Sequence, residues 1–276
     1  VDEHLIGRSL EENKALLERL FWYTVGVVNL IRRSGELKPG RAVAFQEIGT
    51  GAACQYQGTR FILTAKHVLE DAGPSDLRFL PRPSGRIEWA DEPGRTRIER
   101  VALDIKHIVR CEWEDLAAIV LGPSSSGLEF IQFCDLPDKF SDPPEQETCV
   151  VVGYPYDRTF IAEISQQKDA LVHNLSAKSD AFWSEVVKTD RLLSGFDPNL
   201  HFLLRFYPSF PGERPDGYSG AGVWFRRMAV TGRELWSPDL LLTGILTHAY
   251  KNLGLLRIVR SVALRMFLEQ TFLSAE

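Results

Sequence analysis

Short apolar or alternating runs recur along most of this chain, separated by residues that turn the backbone. Between residues 42 and 125 they are Ala42–Glu47, Ala52–Tyr56, Phe61–Ala65, Leu77–Leu80, Ile87–Trp89, Arg97–Leu103 and Leu116–Leu121. Pro81, Pro83, Gly85, Pro93 and Gly94 stand where the runs break. Runs of this length between turn formers suit an all-β barrel or sandwich. Residues 122–148 are rich in Pro, Ser, Gly and Asp and read as a linker with an irregular crossing segment. A second set of strands follows at Cys149–Val152, Thr159–Ile164, His201–Phe206, Gly222–Phe225 and Leu240–Leu246.

Helical signals flank and interrupt this pattern. Residues 8–33 read as a helix: Ser9 and Glu12 form a capping-box pair, and Leu16, Leu17, Leu20, Phe21, Val25 and Val28 follow helical spacing. Arg32 and Arg33 followed by Ser34-Gly35 suit its end. Lys178–Leu193 and Arg257–Phe272 also read as helices, the second closing the chain. The expected fold is mainly β, in two β-rich halves with an N-terminal and a C-terminal helix.

At 276 residues the chain suffices for one large domain or two half-domains sharing a core. A net charge of −5 gives no reason to expect a nucleic-acid or anionic-membrane surface. The acids interleaved among Arg82, Arg86, Arg95, Arg97, Arg100 and Arg110 make that region a solvated face. The apolar run Phe21–Ile31 is too short to span a bilayer and follows acids, so no secretory leader is expected. Cys54, Cys111, Cys134 and Cys149 form no CxxC pair and read as buried free thiols. A reducing, cytoplasmic location is the expectation. No metal or other cofactor is implied.

Three segments carry the chemistry. Thr64-Ala65-Lys66-His67-Val68 ends an apolar strand on a histidine. Trp113-Glu114-Asp115-Leu116-Ala117 sets an acid before another strand, and Gly217-Tyr218-Ser219-Gly220 is a glycine-flanked serine. A serine hydroxyl needs an imidazole to take its proton, and the imidazole needs a carboxylate to fix its tautomer. Taken singly, each segment has a plainer reading: a strand-end histidine, a solvated acid, a glycine turn. Glu114 and Asp104 are rival carboxylates; Glu114 would face the other side of its strand, and Asp104 lacks the following alanine. An α/β-hydrolase arrangement fits poorly, because Ala221 breaks G-x-S-x-G and Ser219, Asp239 and His248 are crowded together.

The three segments resemble the "LTAAHV", "D-hydrophobic-A-hydrophobic" and "GDSGGP" motifs of the chymotrypsin/trypsin-like serine proteases. The order and the spacings, 48 residues from His67 to Asp115 and 104 from Asp115 to Ser219, are also similar to that family's. Gly49-Thr50-Gly51 resembles its glycine-flanked strand, and Thr243-Gly244-Ile245-Leu246-Thr247-His248 its "GIVS" strand. The resemblance covers about residues 42–272. It implies two six-stranded antiparallel β-barrels (chymotrypsin-like): residues 36–130 with His67 and Asp115, and 131–276 with Ser219 and the terminal helix, after an N-terminal helix in 1–35.

The resemblance further implies that Ser219 is the nucleophile, His67 the general base and Asp115 its orienting acid. The N–H groups of Gly217 and Ser219 would form the oxyanion hole. Thr247, His248 and Ala249 would bind substrate backbone, and Glu213 would stand at the base of the specificity pocket. Adjacent Arg214 favours the alternative reading of Glu213 as a loop charge. Tyr218 stands where the secreted members of the family carry the acid that receives a new N-terminus, so activation by an inserted N-terminus is not expected, and Val68 replaces the cysteine usual after the histidine. These departures point to the bacterial or intracellular branches. The implied partner is a protein or peptide substrate, with room for a regulatory protein on the N-terminal helix or on 165–200. The alternative function is a catalytically silent protease fold that binds peptide.

Overall fold

A computed structural model describes residues 3–30, 45–70, 72–74, 77–80, 88–89, 92–96, 103–123, 131–136, 142–143, 147–155, 159–167, 170–177, 179–189, 192–207, 214–227 and 239–272. Helix α1 (Glu3–Trp22) comes first. The first half then contains β1 (Thr24–Leu30), β2 (Phe45–Tyr56), β3 (Thr59–Thr64), the helical turn α2 (Lys66–Leu69), and β4 (Leu77–Leu80). It continues through β5 (Glu88–Trp89), β6 (Glu92–Thr96), β7 (Ile105–Arg110), β8 (Ala117–Leu121) and β9 (Cys134–Asp135). The second half contains β10 (Thr148–Gly153), β11 (Thr159–Gln167), β12 (Ala170–Ala177), β13 (Asp180–Val187) and β14 (His201–Arg205). It ends with β15 (Gly222–Arg227), β16 (Asp239–Tyr250), β17 (Leu255–Arg260) and helix α3 (Ser261–Phe272).

The first half is a sheet of order β4-β1-β2-β3-β8-β7, with β9 joining β2 in parallel, Cys54 opposite Cys134. The second half closes as a six-stranded antiparallel barrel, β10-β13-β14-β17-β16-β15. The hairpins β5-β6 and β11-β12 stand apart from both.

Period-two alternation explains how the halves pack. In β10, Cys149 and Val151 face the barrel interior, whereas Val150 and Val152 join a cluster shared with the first half. In β3, Phe61 and Leu63 face that same shared cluster, and Ile62 faces the core of its own sheet. Strand β8 divides likewise, Leu116, Ala118 and Val120 against Ala117, Ile119 and Leu121. Strands buried on both faces read as continuous apolar runs, which is why β3, β8 and β10 stand out in the sequence. Both helices complete the shared cluster, α1 with Leu16 and Leu20, α3 with Leu264, Phe267 and Leu268.

Three expected helices differ in the structure. The N-terminal helix ends at Trp22, where the Thr24 hydroxyl donates to the Leu20 carbonyl at 2.9 Å. The β-branched residues after it form β1, with Val25 and Val27 fully buried. Residues 180–187 are β13, paired with both β10 and β14. Phe182 and Val186 pack on the barrel core while Trp183, between them, is largely exposed. Apolar residues four apart satisfy either period, and here barrel closure decides for strand. Residues 255–260 are β17, and the terminal helix begins only at Ser261. The runs at 42–44, 87 and 97–102, and much of 122–148, lie outside the described residues.

Candidate active site

His67 sits in α2, the one helical turn that follows β3. The turn closes by Val68 N–H to Ala65 O at 3.2 Å and Glu70 N–H to His67 O at 3.2 Å, with Val68 and Leu69 buried beneath it. Asp115 lies in the tight loop between β7 and β8, which Cys111 N–H closes on Leu116 O at 2.9 Å. Lys66 ties the two elements together: its ammonium donates to Cys111 O at 2.8 Å and its N–H to Asp115 O at 3.3 Å.

Both oxygens of Asp115 then engage His67. Oδ2 stands 2.8 Å from the ring Nδ1, and Oδ1 accepts the His67 backbone N–H at 3.0 Å. An ionised carboxylate can only accept, so Nδ1 carries the hydrogen and Nε2 bears the lone pair of the neutral ring. Burial alone would raise the Asp115 pKa. The hydrogen bonds and charge of His67 and the Arg257 charge outweigh it and hold the carboxyl below its ordinary value.

The Ser219 loop leads into β15 and is docked onto the strands that lead to His67. Thr50 N–H donates to Ser219 O at 2.7 Å, and the Thr50 hydroxyl donates to Gly217 O at 2.8 Å. Gly220 N–H donates to Leu246 O at 2.7 Å, and Leu246 N–H to Ala221 O at 2.9 Å. Gly220 has a φ of +87°, and a Cβ there would lie 2.0 Å from Thr50 O and 3.0 Å from Ala65 N. The loop therefore rests within two residues of His67. Gly217 adopts φ +91°, a conformation glycine takes without strain. Among the described residues no acceptor takes the Gly217 or Ser219 N–H. Tyr218, between them, is buried and sets its ring edge-on to Phe182 at 5.1 Å. The loop is thus anchored by an apolar ring in the barrel core.

Beyond the serine loop, β16 changes partners. It pairs with β15 as far as Ile245 and with β17 on to Tyr250. Thr247, His248 and Ala249 consequently lie on a stretch paired on one side only among the described residues. Thr247 is buried, and its Oγ1 accepts from Arg257 Nε at 3.3 Å. His248 is exposed and sets its ring edge-on to Tyr250 at 4.8 Å. Burial, then the charges of Arg257 and His67, lower the His248 pKa against a smaller upward pull from Asp115. Glu213 lies outside the described residues.

Four further residues shape this site in ways the sequence did not suggest, although Glu114 stood out there as a rival acid. Thr50 bonds the serine loop, while Glu114, His201 and Arg257 form a buried polar group behind Asp115. Among the described residues no three His, Cys, Asp or Glu side chains stand together to hold a metal. No described helix is long and apolar enough to cross a membrane.

Comparison with known proteins gives the same fold. By shape the chain is similar to the scabies mite inactivated protease paralogue S-I1, with 17% identity and a TM-score of 0.55 over 92% of this chain and 96% of that one. It is also similar to human heparin binding protein, with 14% identity and a TM-score of 0.54 over 94% of each chain. Identities this low speak to the fold alone. No curated protein matches the chain. The family model for Trypsin matches residues 34–192, a stretch that carries His67 and Asp115 and stops short of Ser219. With more than half of its length matched by that model, the chain belongs to the trypsin family.

Proposed function

We propose that this protein is a serine endopeptidase working through Ser219, His67 and Asp115. The observation that carries the reading is the double engagement of His67 by Asp115, at the ring Nδ1 and at the backbone N–H. It leaves Nε2 as the base, and the Ser219 loop is docked on Thr50 and against Ala65, two residues before His67. In the acylation step Nε2 takes the Ser219 Oγ proton as Oγ bonds to the scissile carbonyl carbon. The carbonyl oxygen becomes an anion, and the Gly217 and Ser219 N–H groups receive it. As the intermediate collapses the C–N bond breaks, and the leaving amine takes its proton from His67. Water then gives a proton to the same nitrogen as it bonds to the acyl carbon; the C–Oγ bond breaks, His67 returns that proton to Ser219 Oγ, and the acyl group leaves as a carboxylic acid.

The one-sided edge at Thr247–Tyr250 supports an extended peptide as substrate, because it can pair there as an added strand running past the serine. The second reading is a silent module that holds peptide on this edge without cutting it. One of the structural neighbours is itself described as an inactivated protease paralogue.

Labelling with a fluorophosphonate probe separates the two. An endopeptidase labels, and Ser219→Ala abolishes labelling. A peptide-binding module labels in neither form yet retains peptide binding.

A further inference from the structure

Glu114 and His201 are buried to 7% and 3% exposure, and the proposed mechanism uses neither. They come from opposite halves, Glu114 from the loop before β8 and His201 from the start of β14. Asp197 N–H donates to His201 Nδ1 at 2.9 Å, so that nitrogen bears the lone pair and the ring hydrogen is on Nε2. Nε2–H points at Glu114 Oε2, 2.7 Å away. The other oxygen of Glu114 accepts the backbone N–H of Asp115 at 2.8 Å. Arg257 reaches the same oxygen at 3.8 Å, while its Nη1 donates to Gly195 O at 2.6 Å. Arg260 Nε holds the His201 carbonyl at 2.9 Å.

Asp115 is thereby anchored towards both halves. Its carboxylate is fixed by His67, within the first half. Its peptide N–H is fixed by Glu114, which is itself fixed by the second half, the half that carries Ser219. We propose that Glu114, held by His201 and Arg257, is a positioning residue that sets Asp115, and through it His67, relative to the Ser219 loop. The inference rests on the reading of His67 and Asp115 as the working base and its orienting acid. Among the described residues the charged and titratable groups around Glu114 include His201, Arg257, Asp115, the Cys111 thiol and, beyond Asp115, His67. A buried carboxylate beside a second carboxylate is costly unless both are bonded. Here the hydrogen bond from His201, the Asp115 N–H and the Arg257 charge outweigh burial and keep Glu114 ionised.

The test uses His201→Phe, His201→Gln and Glu114→Ala in the full chain. Gln keeps a donor near the Nε2 position; Phe does not. One readout is the proton-NMR signal of the His67 Nδ1–H, identified by its loss in His67→Gln, which reports on the His67–Asp115 bond whether or not the protein turns over. The second is the rate of fluorophosphonate labelling, and the third is Tm. His201→Phe and Glu114→Ala should displace or broaden the His67 signal and slow labelling by about 10²-fold, the order expected for a misplacement near 1 Å. His201→Gln should restore both towards wild type. If Glu114→Ala or His201→Phe fails to fold, Glu114→Gln replaces it. Its amide N–H₂ would oppose the His201 N–H, and the same displacement is expected. An unchanged His67 signal in folded variants, with only Tm lowered, overturns the proposal and makes the pair merely structural. Absence of labelling in the wild type counts against the endopeptidase reading, and the NMR signal then still decides this one.

Discussion

The Thr50 hydroxyl donates to the carbonyl of Gly217 at 2.8 Å and accepts the Tyr154 N–H at 2.9 Å. With its own N–H on Ser219 O and its carbonyl accepting from the Thr64 hydroxyl, one threonine joins β2, β3, the end of β10 and the serine loop. Its N–H and its hydroxyl thus hold the loop in which the Gly217 and Ser219 N–H groups are presented, and its carbonyl ties that contact to β3.

Thr50→Val keeps the shape and removes the hydroxyl. A buried N–H and a buried carbonyl then lose their partner, at a cost of about 1–3 kcal/mol each. Chemical denaturation should show that loss, and labelling at Ser219 should slow because the Gly217 peptide is no longer held. Thr50→Ser should keep most of both. Equal stability of the Val and Ser variants would show that the hydroxyl contributes nothing.

Gly220→Ala tests the docking of the same loop. The added methyl would meet the backbone at Thr50 O and Ala65 N as well as the Thr64 hydroxyl, which is itself bonded to Thr50 O, and φ +87° is unfavourable for alanine. The loop must shift away from Thr64 and Ala65, so labelling should fall below detection. A folded variant that labels at the wild-type rate would mean that the contact is not needed.

Strands such as β3, β8 and β10 and the three candidate residues were legible because their signals are local. An apolar run on both faces of β3 or β8, an acid next to a strand, and glycines around a serine all lie within a few residues. Strands β6, β7, β9 and β12 fall outside the runs the sequence suggests. Strands β1, β13 and β17 read as helix, since Val25–Val28, Phe182–Val187 and Arg257–Val259 satisfy helical spacing as well as strand spacing. Their partners in space decide, and those partners are distant in sequence. The Glu114–His201 bond joins residues 87 positions apart across the two halves, and nothing near either one announces it. Glu114 was visible only as a rival to Asp115. Lys66, which departs from the small residue usual in the family, proves to be the tie that holds the Asp115 loop to the histidine turn.

Tyr218 stands where secreted trypsins carry an acid, and it anchors the loop by burial. Tyr218→Ala should open a cavity and destabilise the protein by about 3–5 kcal/mol, as for other large aromatic truncations. Labelling should be lost with it. Tyr218→Phe retains the ring against Phe182 and should label within a few-fold of wild type. A Phe variant as inactive as the Ala variant would move the anchoring role from the ring to the hydroxyl.

All four cysteines are buried and none forms a disulfide. Burial raises the thiol pKa of Cys54 and Cys111, and that of Cys149 to about 12. Thiolates are the reactive form, so brief iodoacetamide treatment at pH 8 should leave the native protein unmodified. Mass spectrometry after the same treatment in guanidinium should show four additions. Rapid modification of native Cys149 would contradict the packing described for the barrel core.

The two acids of the Glu114–Asp115 step should give the fold an acid limb. Their ordinary values are 4.5 and 3.8, and both are lowered in the folded protein because hydrogen bonds and neighbouring positive charge outweigh burial. A carboxyl with a depressed folded pKa contributes stability that is fully present above its unfolded pKa. That stability is lost as pH falls through the folded value, because the unfolded chain takes up the proton first. Urea midpoints should therefore stay level from neutral pH down to about pH 5 and then fall. Glu114→Gln with Asp115→Asn cannot take up these protons. The double variant should be less stable than wild type at pH 7, and the gap should narrow towards pH 3. Parallel curves, with the gap unchanged across that range, would mean that neither carboxyl is held ionised by its folded surroundings, and the bonds from His67 and His201 would then have to be weaker than their lengths imply.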